Sequence, residues 1–330
     1  MNNHDEVGLI GLGNAGKPIA ERLLKRGHSV TVYDMNLTAV LPLVELGAIR
    51  ATSASDATKR ITLTVLPSSV EVRKAYFSEK GIRTCLQPGF IYIDLSGTDP
   101  DCARDIERDV IEKKAVFLGA TLHAHGAPAI TIPKGMLSIA IGGRRESVEA
   151  CAGLLKDLAQ KVICLPEPWM PKALKLAVIM SSTVSAILNA EVCAWLLAQG
   201  IEPQMFLKLL QSTESQASAI RLEEFMQRKN NNGGALSNSY KDIQQALKVA
   251  SQLNLPLPLT GLAGQIQEMA RAHGLARENS PQAIGKLYES LTSQDLSEAI
   301  LDKPKSFTTP QESKIIFLET PKATHTQGIS

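Results

Sequence analysis

The chain has 330 residues, of which 44% are hydrophobic, 21% charged and 4% aromatic, and its formal net charge is +2. The length predicts about two domains, and the hydrophobic fraction excludes a disordered or fibrous protein. The 35 basic residues nearly balance the 33 acidic ones, and aromatic side chains are few. This argues against a dedicated nucleic-acid-binding protein, which needs a basic field and stacking platforms. Composition therefore predicts a soluble, cytoplasmic, globular protein that acts on a small molecule.

The cysteines and the longest apolar stretch point to the same class of protein. The five cysteines are scattered and form no Cys-x-x-Cys pair, which predicts free buried thiols rather than a disulfide framework or a zinc site. Residues 176–190 are uncharged and apolar, but 15 residues are too few for a bilayer span, and four hydroxyl side chains interrupt them. We expect a fully buried helix here and no membrane segment.

The first half of the chain alternates short apolar runs with amphipathic segments. Predicted strands cover residues 7–11, 29–33, 61–66, 90–95, 115–118, 137–141 and 162–165. Predicted helices between them cover residues 17–26, 37–46, 70–77, 100–113 and 146–160. Because a parallel crossover connection needs a helix, this alternation predicts a Rossmann-type α/β domain with a doubly wound parallel sheet.

After Pro166 the alternation stops and the pattern becomes helical throughout. Predicted helices cover residues 173–199, 204–210, 217–227, 235–253, 259–273 and 281–291. Beyond Lys303 the composition turns to Thr, Ser, Pro, Gln and Lys, with only residues 315–318 apolar. We therefore predict an α/β domain (1–168), an all-α domain built on one long helix (169–302) and a flexible tail (303–330), in which one short segment is suited to docking.

A glycine-rich hexapeptide directly follows the first predicted strand and opens the first predicted helix. It consists of Gly11, Leu12, Gly13, Asn14, Ala15 and Gly16. In this pattern the first glycine permits a tight turn, the second lets the backbone approach a pyrophosphate, and the third allows close packing of helix on strand. The helix N-terminus offers N–H groups and a positive dipole end to phosphates. The order of strand, loop and helix predicts that these six residues bind a dinucleotide.

An acidic residue in the second strand region indicates which dinucleotide is bound. The second predicted strand is followed by Asp34, eighteen residues after Gly16. A carboxylate here accepts hydrogen bonds from the adenosine ribose hydroxyls and repels a 2′-phosphate. The next residues are Met35 and Asn36, so no arginine is present to bind a phosphate. The predicted cofactor is NAD, with NADP less favoured.

Motifs spread over about residues 6–300 resemble one known family. They are the opening Gly-Leu-Gly-Asn-Ala-Gly-Lys-Pro (11–18), Leu66-Pro67, Asp-Leu-Ser-Gly-Thr-Asp-Pro (94–100), Lys-Gly-Met-Leu (134–137) with Gly142-Gly143, Lys175 with Glu191 sixteen residues later, and Tyr-Lys-Asp-Ile (240–243). In this order they resemble the β-hydroxyacid dehydrogenase family, which includes 3-hydroxyisobutyrate dehydrogenase, tartronate semialdehyde reductase and, more distantly, 6-phosphogluconate dehydrogenase.

The resemblance implies hydride transfer between a nicotinamide and the carbinol carbon of a small β-hydroxy acid. It implies that Lys175, at the start of the long helix, is the general acid or base. It implies further cofactor-binding residues, namely Leu66, Pro67, Gly97 and Lys241. The substrate-binding residues that we predict are Ser96, His123, Ala124, His125, Ser182 and Lys241; Ser182 is included because it lies on the Lys175 face of the helix, seven residues on.

Three positions around the expected substrate depart from the family pattern. His123 stands where the family has a serine, Val178 where it has an asparagine, and Gly97 where it has a threonine. His123 or His125 either binds an acidic or carbonyl group of a different substrate, assists proton transfer, or fills space in a remodelled loop. Two histidines without a third ligand at useful spacing predict no metal site.

Three functions are compatible with this pattern. The first is an active NAD(P)-dependent dehydrogenase or reductase with an unusual substrate, which retains the cofactor motifs and Lys175. The second is an imine-type reductase on the same fold, against which the retained lysine argues. The third is a non-catalytic dinucleotide-binding protein, suggested by the lost serine and asparagine. For any of them the apolar helix 173–199 predicts a homodimer or homotetramer, because it needs cover on every side.

Overall fold

The computed structural model of the chain describes residues 5–124, 128–212, 216–226, 235–293, 296 and 314–317. These residues divide into two compact units, and the division along the chain falls after residue 173. The first unit holds the described residues up to 173 together with 314–317, and the second holds those from 174 to 296. The boundary expected from the sequence, at 168/169, lies five residues earlier.

Within the described part of the chain, the first unit is built on a nine-stranded sheet. Its strands are β1 (Glu6–Ile10), β2 (Ser29–Tyr33), β3 (Ile49–Arg50), β4 (Ile61–Thr64), β5 (Ile91–Asp94), β6 (Val116–Ala124), β7 (Leu137–Gly142), β8 (Lys161–Leu165) and β9 (Lys314–Phe317). Their order across the sheet is β3-β2-β1-β4-β5-β6-β7-β8-β9. Neighbouring strands are parallel except β6 and β7, which are antiparallel. The predicted Rossmann-type fold is confirmed.

The helices of the first unit follow the predicted segments, except for the four-residue α5, which the sequence does not predict. They are α1 (Gly16–Lys25), α2 (Leu37–Glu45), α3 (Ser69–Phe77), α4 (Pro100–Glu112), α5 (Pro128–Thr131), α6 (Arg145–Ala150) and α7 (Ala152–Leu158). The single helix predicted over 146–160 is therefore two helices that meet at Cys151. Caps agree with local sequence rules, since the side chains of Asn36, Ser68 and Asp99 accept backbone N–H bonds at the starts of α2, α3 and α4.

Alternate residues of the central strands enter two separate apolar clusters on opposite faces of the sheet. In β1, Leu9 belongs to one cluster and Ile10 to the other. The first cluster includes Leu23 of α1, and the second includes Tyr76 of α3 and Ile106 of α4. Because side chains alternate along a strand, helices must cover both faces, which explains the near-continuous apolar character of these strands.

The second unit is helical in its described residues. Its helices are α8 (Met170–Ala198), which begins in the first unit, α9 (Pro203–Gln211), α10 (Gln216–Met226), α11 (Leu236–Gln252), α12 (Pro258–Ala272) and α13 (Ser280–Thr292). Ala190 and Cys193 of α8 pack in one apolar cluster with Phe225 of α10 and Ile284 of α13. The all-α second part is thus confirmed.

The region around β6 corrects two expectations. The prediction ended this strand at residue 118, but β6 continues to Ala124, so His123 lies on a strand and not in a loop. The extension forms because residues 119–124 pair in register with β7, and this pairing is antiparallel rather than parallel. Gly119 lies opposite Gly142, and a Cβ on Gly119 would collide with the carbonyl oxygen of Pro168.

The structure describes one short segment of the predicted tail over 303–330, in which a docking segment is expected. Lys314–Phe317 forms β9, which pairs in parallel with β8 at the edge of the sheet. The apolar run pairs there because an edge strand presents unpaired backbone N–H and C=O groups. The remainder of 303–330 lies outside the described residues. The prediction also missed β3, which has only two residues and no strand pattern.

Helix α8 is less buried than the sequence predicts. It is long and apolar enough to cross a membrane by length and composition, and 33% of its most apolar window is buried. The expectation of a fully buried helix is therefore wrong. Leu174, Val178, Leu188 and Trp195 lie exposed along one face of the helix. Core helices of soluble proteins pass the same length and composition test, so the test alone does not make α8 a membrane segment.

Candidate active site

The glycine-rich loop connects β1 to α1 at the carboxyl edge of the parallel strands. Gly11 has φ +94°, a left-handed conformation that favours glycine, and a Cβ there would collide with the Val65 carbonyl. A Cβ on Gly16 would collide with the carbonyl oxygen of Gly11. In contrast, a Cβ on Gly13 would meet nothing within 4 Å. The loop is therefore packed tightly on the sheet at two glycines and open at the middle one.

The N-terminus of α1 is left open towards this loop. Its N-cap, Ala15, makes no side-chain capping hydrogen bond, and the first turn contains no acidic residue. Leu12 of the loop is buried, whereas Asn14 is exposed. The positive end of the helix dipole therefore has no carboxylate of its own first turn to compete with an anion.

Asp34 lies beside the same loop. Its Oδ2 accepts a hydrogen bond from the Leu12 backbone N–H at 2.7 Å, and its Oδ1 accepts one from the Asn36 N–H at 2.8 Å. These bonds fix the carboxylate next to the glycine loop. A carboxylate has about four acceptor positions, so Asp34 retains acceptor capacity for the hydroxyls of a ribose.

The turns after β4 and β5 are joined to each other. The Leu66 backbone N–H donates to the Ser96 Oγ at 2.9 Å, and Ser96 is buried. Gly97, the next residue, is half-buried, and Pro67 is exposed. Because β2, β1, β4 and β5 are parallel neighbours, the glycine loop, Asp34, Leu66 and Ser96 all follow strand ends at one edge of the sheet.

A buried ion pair lies under the Ser96 turn. The Lys172 ammonium, with 0% side-chain exposure, donates to Asp94 Oδ2 at 2.8 Å and to the backbone carbonyls of Asp94, Ser96 and Ala120 at 2.8–3.0 Å. Asp94 also accepts hydrogen bonds from the hydroxyls of Thr64 and Thr98. Lys172 is therefore fully buried near the start of α8 and is not a solvated residue.

The electrostatics of Asp94 follow from this pairing. Burial by itself raises the pKa of a carboxyl group, because it removes water from the charged form. The charge of Lys172 and the hydrogen bonds from Lys172, Ser96 and Thr64 outweigh burial, and the pKa of Asp94 lies below its ordinary value. Burial and the nearby Asp94 charge raise the pKa of Tyr92 well above its ordinary value. Asp94 is therefore ionised and Tyr92 neutral at neutral pH.

The predicted substrate segment at the end of β6 is only partly described. His123 is half-buried on β6 and pairs with Ser138 of β7. Ala124 ends the strand, and His125 lies outside the described residues. No group of three or more His, Cys, Asp or Glu side chains able to hold a metal ion occurs among the described residues.

Lys175 lies in the second turn of α8 and pairs with an acidic residue of α11. Its Nζ is 3.2 Å from Asp242 Oδ2, and the Nζ of Lys241 is 3.7 Å from Asp242 Oδ1. The Asp242 side chain is 6% exposed, against 22% for Lys175 and 40% for Lys241. Asp242 Oδ1 accepts no hydrogen bond from the described residues. The second unit thus brings together two lysines around one buried carboxylate.

The other predicted residues of α8 are not part of this group. Ser182 is exposed, and its hydroxyl donates to the Ile179 carbonyl at 3.1 Å. Ser182 lies seven residues after Lys175, which is about 10 Å along a helix. Val178, in the position of the family's asparagine, is half exposed.

The sequence does not predict the contacts of two acidic residues. Asp94 and Lys172 are 78 positions apart, and nothing local in either segment indicates that they meet. For Asp242 the sequence indicates only that it belongs to a motif. A periodic signal was present for it, because Asp242, Ala246 and Ala250 recur at helical spacing on the buried face of α11.

Two family sequence models match the chain. One, described as the NAD binding domain of 6-phosphogluconate dehydrogenase, matches residues 6–165, and the other, described as NAD-binding of NADP-dependent 3-hydroxyisobutyrate dehydrogenase, matches residues 171–287. The 3-sulfolactaldehyde reductase of Escherichia coli K12 is 28% identical over 278 residues, which cover 83% of this chain and 92% of that protein. Human mitochondrial 3-hydroxyisobutyrate dehydrogenase is 26% identical over 297 residues, covering 87% and 88% respectively.

The fold of a solved structure agrees with these sequence matches. The 3-hydroxyisobutyrate dehydrogenase of Mycobacterium tuberculosis with L-serine has a TM-score of 0.76 at 20% identity, covering 86% of this chain and 99% of that one. The chain belongs to the β-hydroxyacid dehydrogenase family. As a β-hydroxyacid dehydrogenase it is an NAD(P)-dependent oxidoreductase that acts on CH–OH groups.

The first unit of this β-hydroxyacid dehydrogenase fits a dinucleotide by two features. The open space at Gly13 lets a pyrophosphate approach the backbone at the start of α1, where a Cβ would project. The Asp34 carboxylate, held by the Leu12 N–H, is adjacent to that loop. Gly13 and Asp34 are thus the residues that would hold the cofactor's pyrophosphate and ribose.

Proposed function

We propose that this β-hydroxyacid dehydrogenase interconverts a small β-hydroxy acid and its aldehyde or ketone, with Lys175 as the general acid or base. A nicotinamide dinucleotide, held by Gly13 and Asp34, would supply or accept the hydride at the carbinol carbon. In the direction of reduction, the Lys175 ammonium gives a proton to the carbonyl oxygen, which becomes a hydroxyl. In oxidation the neutral Lys175 amine takes that proton back. The observation that carries this proposal is the ion pair between Lys175 and the buried Asp242 at 3.2 Å.

Asp242 has the geometry of a positioning residue for Lys175. Its side chain is almost wholly buried on α11, so its carboxylate is a fixed point to which the flexible lysine is tied. An ammonium has three N–H bonds, and the pair with Asp242 uses one of them. The remaining bonds are then available for a substrate oxygen.

The proposed substrate is a small acid. The compounds named for the two curated relatives, 3-sulfolactaldehyde and 3-hydroxyisobutyrate, both carry an acid group. Lys241, which is 40% exposed beside Asp242, provides a positive charge for such a group. Ser96, His123, Ala124, His125 and Ser182 stay predicted contributors to the substrate site; for Ser96, burial favours a role in holding the Leu66 turn.

A direct test compares Lys175→Ala and Lys175→Arg with the wild-type enzyme. The substrates are a panel of small 3-hydroxy acids and their aldehydes, and Lys248→Ala, at an exposed position of α11, is the control. Loss of general acid–base catalysis is expected to lower kcat by about 10²–10⁴-fold in Lys175→Ala, with the dinucleotide affinity measured by calorimetry unchanged.

Two outcomes would overturn this reading. Dinucleotide binding without turnover of any panel member would favour the non-catalytic alternative. Turnover of a cyclic imine that is insensitive to Lys175→Ala would favour the imine-type reductase.

The proposed cofactor preference is NAD over NADP. The support is Asp34, whose charge repels a 2′-phosphate at the edge of the glycine loop. Asp34→Asn keeps an acceptor for the Leu12 N–H but removes the charge. We expect the ratio of kcat/KM for NADP to that for NAD to rise about tenfold, as for a loss of about 1.4 kcal/mol of repulsion. An unchanged ratio would contradict the role of Asp34 in this preference.

A homodimer or homotetramer is proposed for the exposed face of α8. Leu174, Val178, Leu188 and Trp195 form an apolar stripe, with Trp195 62% exposed. A second copy would cover this stripe at a symmetric interface. Light scattering after size-exclusion chromatography is expected to give a multiple of the 35.6 kDa chain, and a monomer for the Leu188→Glu/Trp195→Glu variant. A wild-type monomer that binds lipid vesicles through this face would contradict the proposal.

A further inference from the structure

The two edge strands of the nine-stranded sheet, β3 and β9, differ in length and in their place in the sequence. At one edge β3 has only two residues, Ile49 and Arg50, and both are exposed. At the other edge, β8 is followed by β9, which comes from residues 314–317. These residues lie beyond the family-model matches, which end at residue 287. The part of the sheet that the family models match therefore ends at β8, and β9 lies outside the matched residues.

Without β9, the edge at β8 would be prone to pair with another chain. β8 has five residues, all of them paired with β7, and contains neither a proline nor a bulge. Its residues Val162, Ile163, Cys164 and Leu165 are apolar. A long, regular, apolar edge is a template for strand addition, whereas a two-residue edge such as β3 is one of the usual protections.

The sequence of β9 suits it to occupy this edge. It reads Lys-Ile-Ile-Phe, with β-branched and aromatic residues at three of four positions. It pairs with β8 in parallel at four positions, from Lys161 opposite Lys314 to Cys164 opposite Phe317. The surrounding residues 303–313 and 319–330 are mostly polar and contain three of the chain's prolines and several threonines, so the strand former is isolated in sequence.

We propose that residues 314–317 are a tethered capping strand that occupies a β-augmentation site on the β8 edge of the same chain. Backbone hydrogen bonds supply the affinity, as in other cases of strand addition. The cap prevents the β8 edges of two copies from pairing with each other. Residues 314–317 thus control whether the dinucleotide-binding unit exposes a β8 edge that can pair with another chain.

The first experiment tests whether the strand binds its own chain. Phe317→Cys places a thiol opposite Cys164, and residues paired on neighbouring strands are about 5 Å apart, within reach of a disulfide. Oxidation of the full chain is expected to give a disulfide between Cys164 and the introduced cysteine in a monomeric band on a non-reducing gel, identified by peptide mass spectrometry. Cys164→Ser/Phe317→Cys is the control, in which this product is absent. A disulfide between two chains, or none at this position, would overturn the proposal.

The second experiment measures what the cap protects. Successive N–H groups of a strand point to opposite edges, so Ile315→Pro/Ile316→Pro removes the one that faces β8. We expect hydrogen exchange of a peptide covering β8 to become about tenfold faster, while a peptide covering β4 is unchanged. Ala323→Pro, in the same tail but outside β9, is the matched control. Equal exchange in β8 for both variants would contradict the proposal.

The third experiment tests self-association through the uncovered edge. A chain that ends at Thr309 lacks β9 and is expected to form larger species in light scattering as its concentration rises. A synthetic peptide of residues 311–320 is expected to reverse this, whereas the same peptide with prolines at the two isoleucines has no effect. A truncated chain that has the same size as the full chain at every concentration, or a peptide without effect, would overturn the proposal.

Discussion

Replacement of Lys172 by methionine removes a buried charge while nearly preserving the shape of the side chain. In the wild type the ammonium satisfies Asp94 and three backbone carbonyls, all within 3.0 Å, in a region with essentially no exposed surface. The variant leaves the Asp94 carboxylate buried with only its hydroxyl and backbone donors. Breaking a buried ion pair by removing one partner costs about 3–5 kcal/mol, and we expect this loss in the free energy of unfolding.

The expected loss is large on the scale of protein stability. Typical domains unfold at a cost of about 5–15 kcal/mol, and for a domain of this size each kcal/mol lowers Tm by about 2–4 °C. Chemical denaturation and calorimetry of the purified chain measure both quantities. Lys25→Met, at an exposed position of α1, is the matched control and is expected to change the free energy of unfolding by less than about 0.5 kcal/mol.

The stability difference between Lys172→Met and the wild type is expected to change with pH in a definite direction. In the wild type the folded-state pKa of Asp94 is lowered, so its stabilising contribution is present above the unfolded pKa of about 4 and is lost as pH falls through the folded value. In Lys172→Met burial is no longer opposed by the lysine, and the pKa of Asp94 rises. The variant then recovers stability relative to the wild type as pH falls from 8 to 5, because protonation removes the buried charge.

A double-mutant cycle completes the test. Asp94→Asn/Lys172→Met removes both charges, and we expect it to lose less stability than the sum of the two single variants by about 1–3 kcal/mol. Three results would refute the reasoning that the pair is buried and coupled. They are a loss of unfolding free energy below about 1 kcal/mol in Lys172→Met, a stability difference from the wild type that does not change with pH, and additive effects of the two single variants.

Three further predictions follow from other parts of the molecule. Gly13→Ala is expected to weaken NAD binding at least about tenfold with an unchanged Tm, because its Cβ enters the open space of the loop. Gly16→Ala is expected to lower Tm, because its Cβ would collide with the Gly11 carbonyl. Equal effects of the two variants on Tm would contradict this. Asp242→Asn is expected to lower kcat more than it raises KM and to shift the pH profile of kcat, because the Lys175 ammonium loses its charged partner. An unchanged pH profile would count against a positioning role of Asp242. Ellman's reagent at pH 8 is expected to label one thiol rapidly in the native protein, and this rapid labelling is expected to be absent in Cys85→Ser. The other four cysteines are buried, and burial raises the pKa of three of them to about 11–12. Labelling of all five thiols at one rate would disprove this prediction.

Helix and strand positions could be predicted because they depend on local patterns. The six predicted helices of the second unit agree with α8–α13 to within three residues at every end. An amphipathic helix repeats its apolar residues every 3.6 positions, and a buried strand is a short apolar run between turn residues, so both can be recognised within a dozen residues. β3 was missed because two residues carry no such pattern.

Some residues of the candidate site could be predicted from the sequence and others could not, for a related reason. The glycine loop is a contiguous motif whose chemistry depends on the backbone, and its predicted members run from the end of β1 to Gly16, the first residue of α1. The pairing of Lys175 with Asp242 joins positions 67 apart on two helices, and sequence indicated only that each belongs to a motif. His123 was assigned to a loop because nothing in residues 119–124 indicates that β7 pairs with them antiparallel.

The sequence by itself determined the order of most strands and helices and the position of the glycine-rich loop and of the acidic residue after it. It also predicts Lys175 on the long helix as the general acid or base. Tertiary structure alone decided that Lys172 is buried against Asp94, 78 residues away, and that residues 314–317 close the sheet 149 residues after the end of β8. The physical reason is the range of the interactions. Turn geometry and side-chain periodicity act within a few residues, whereas ion pairing and strand pairing are satisfied by whichever groups the folded chain brings together.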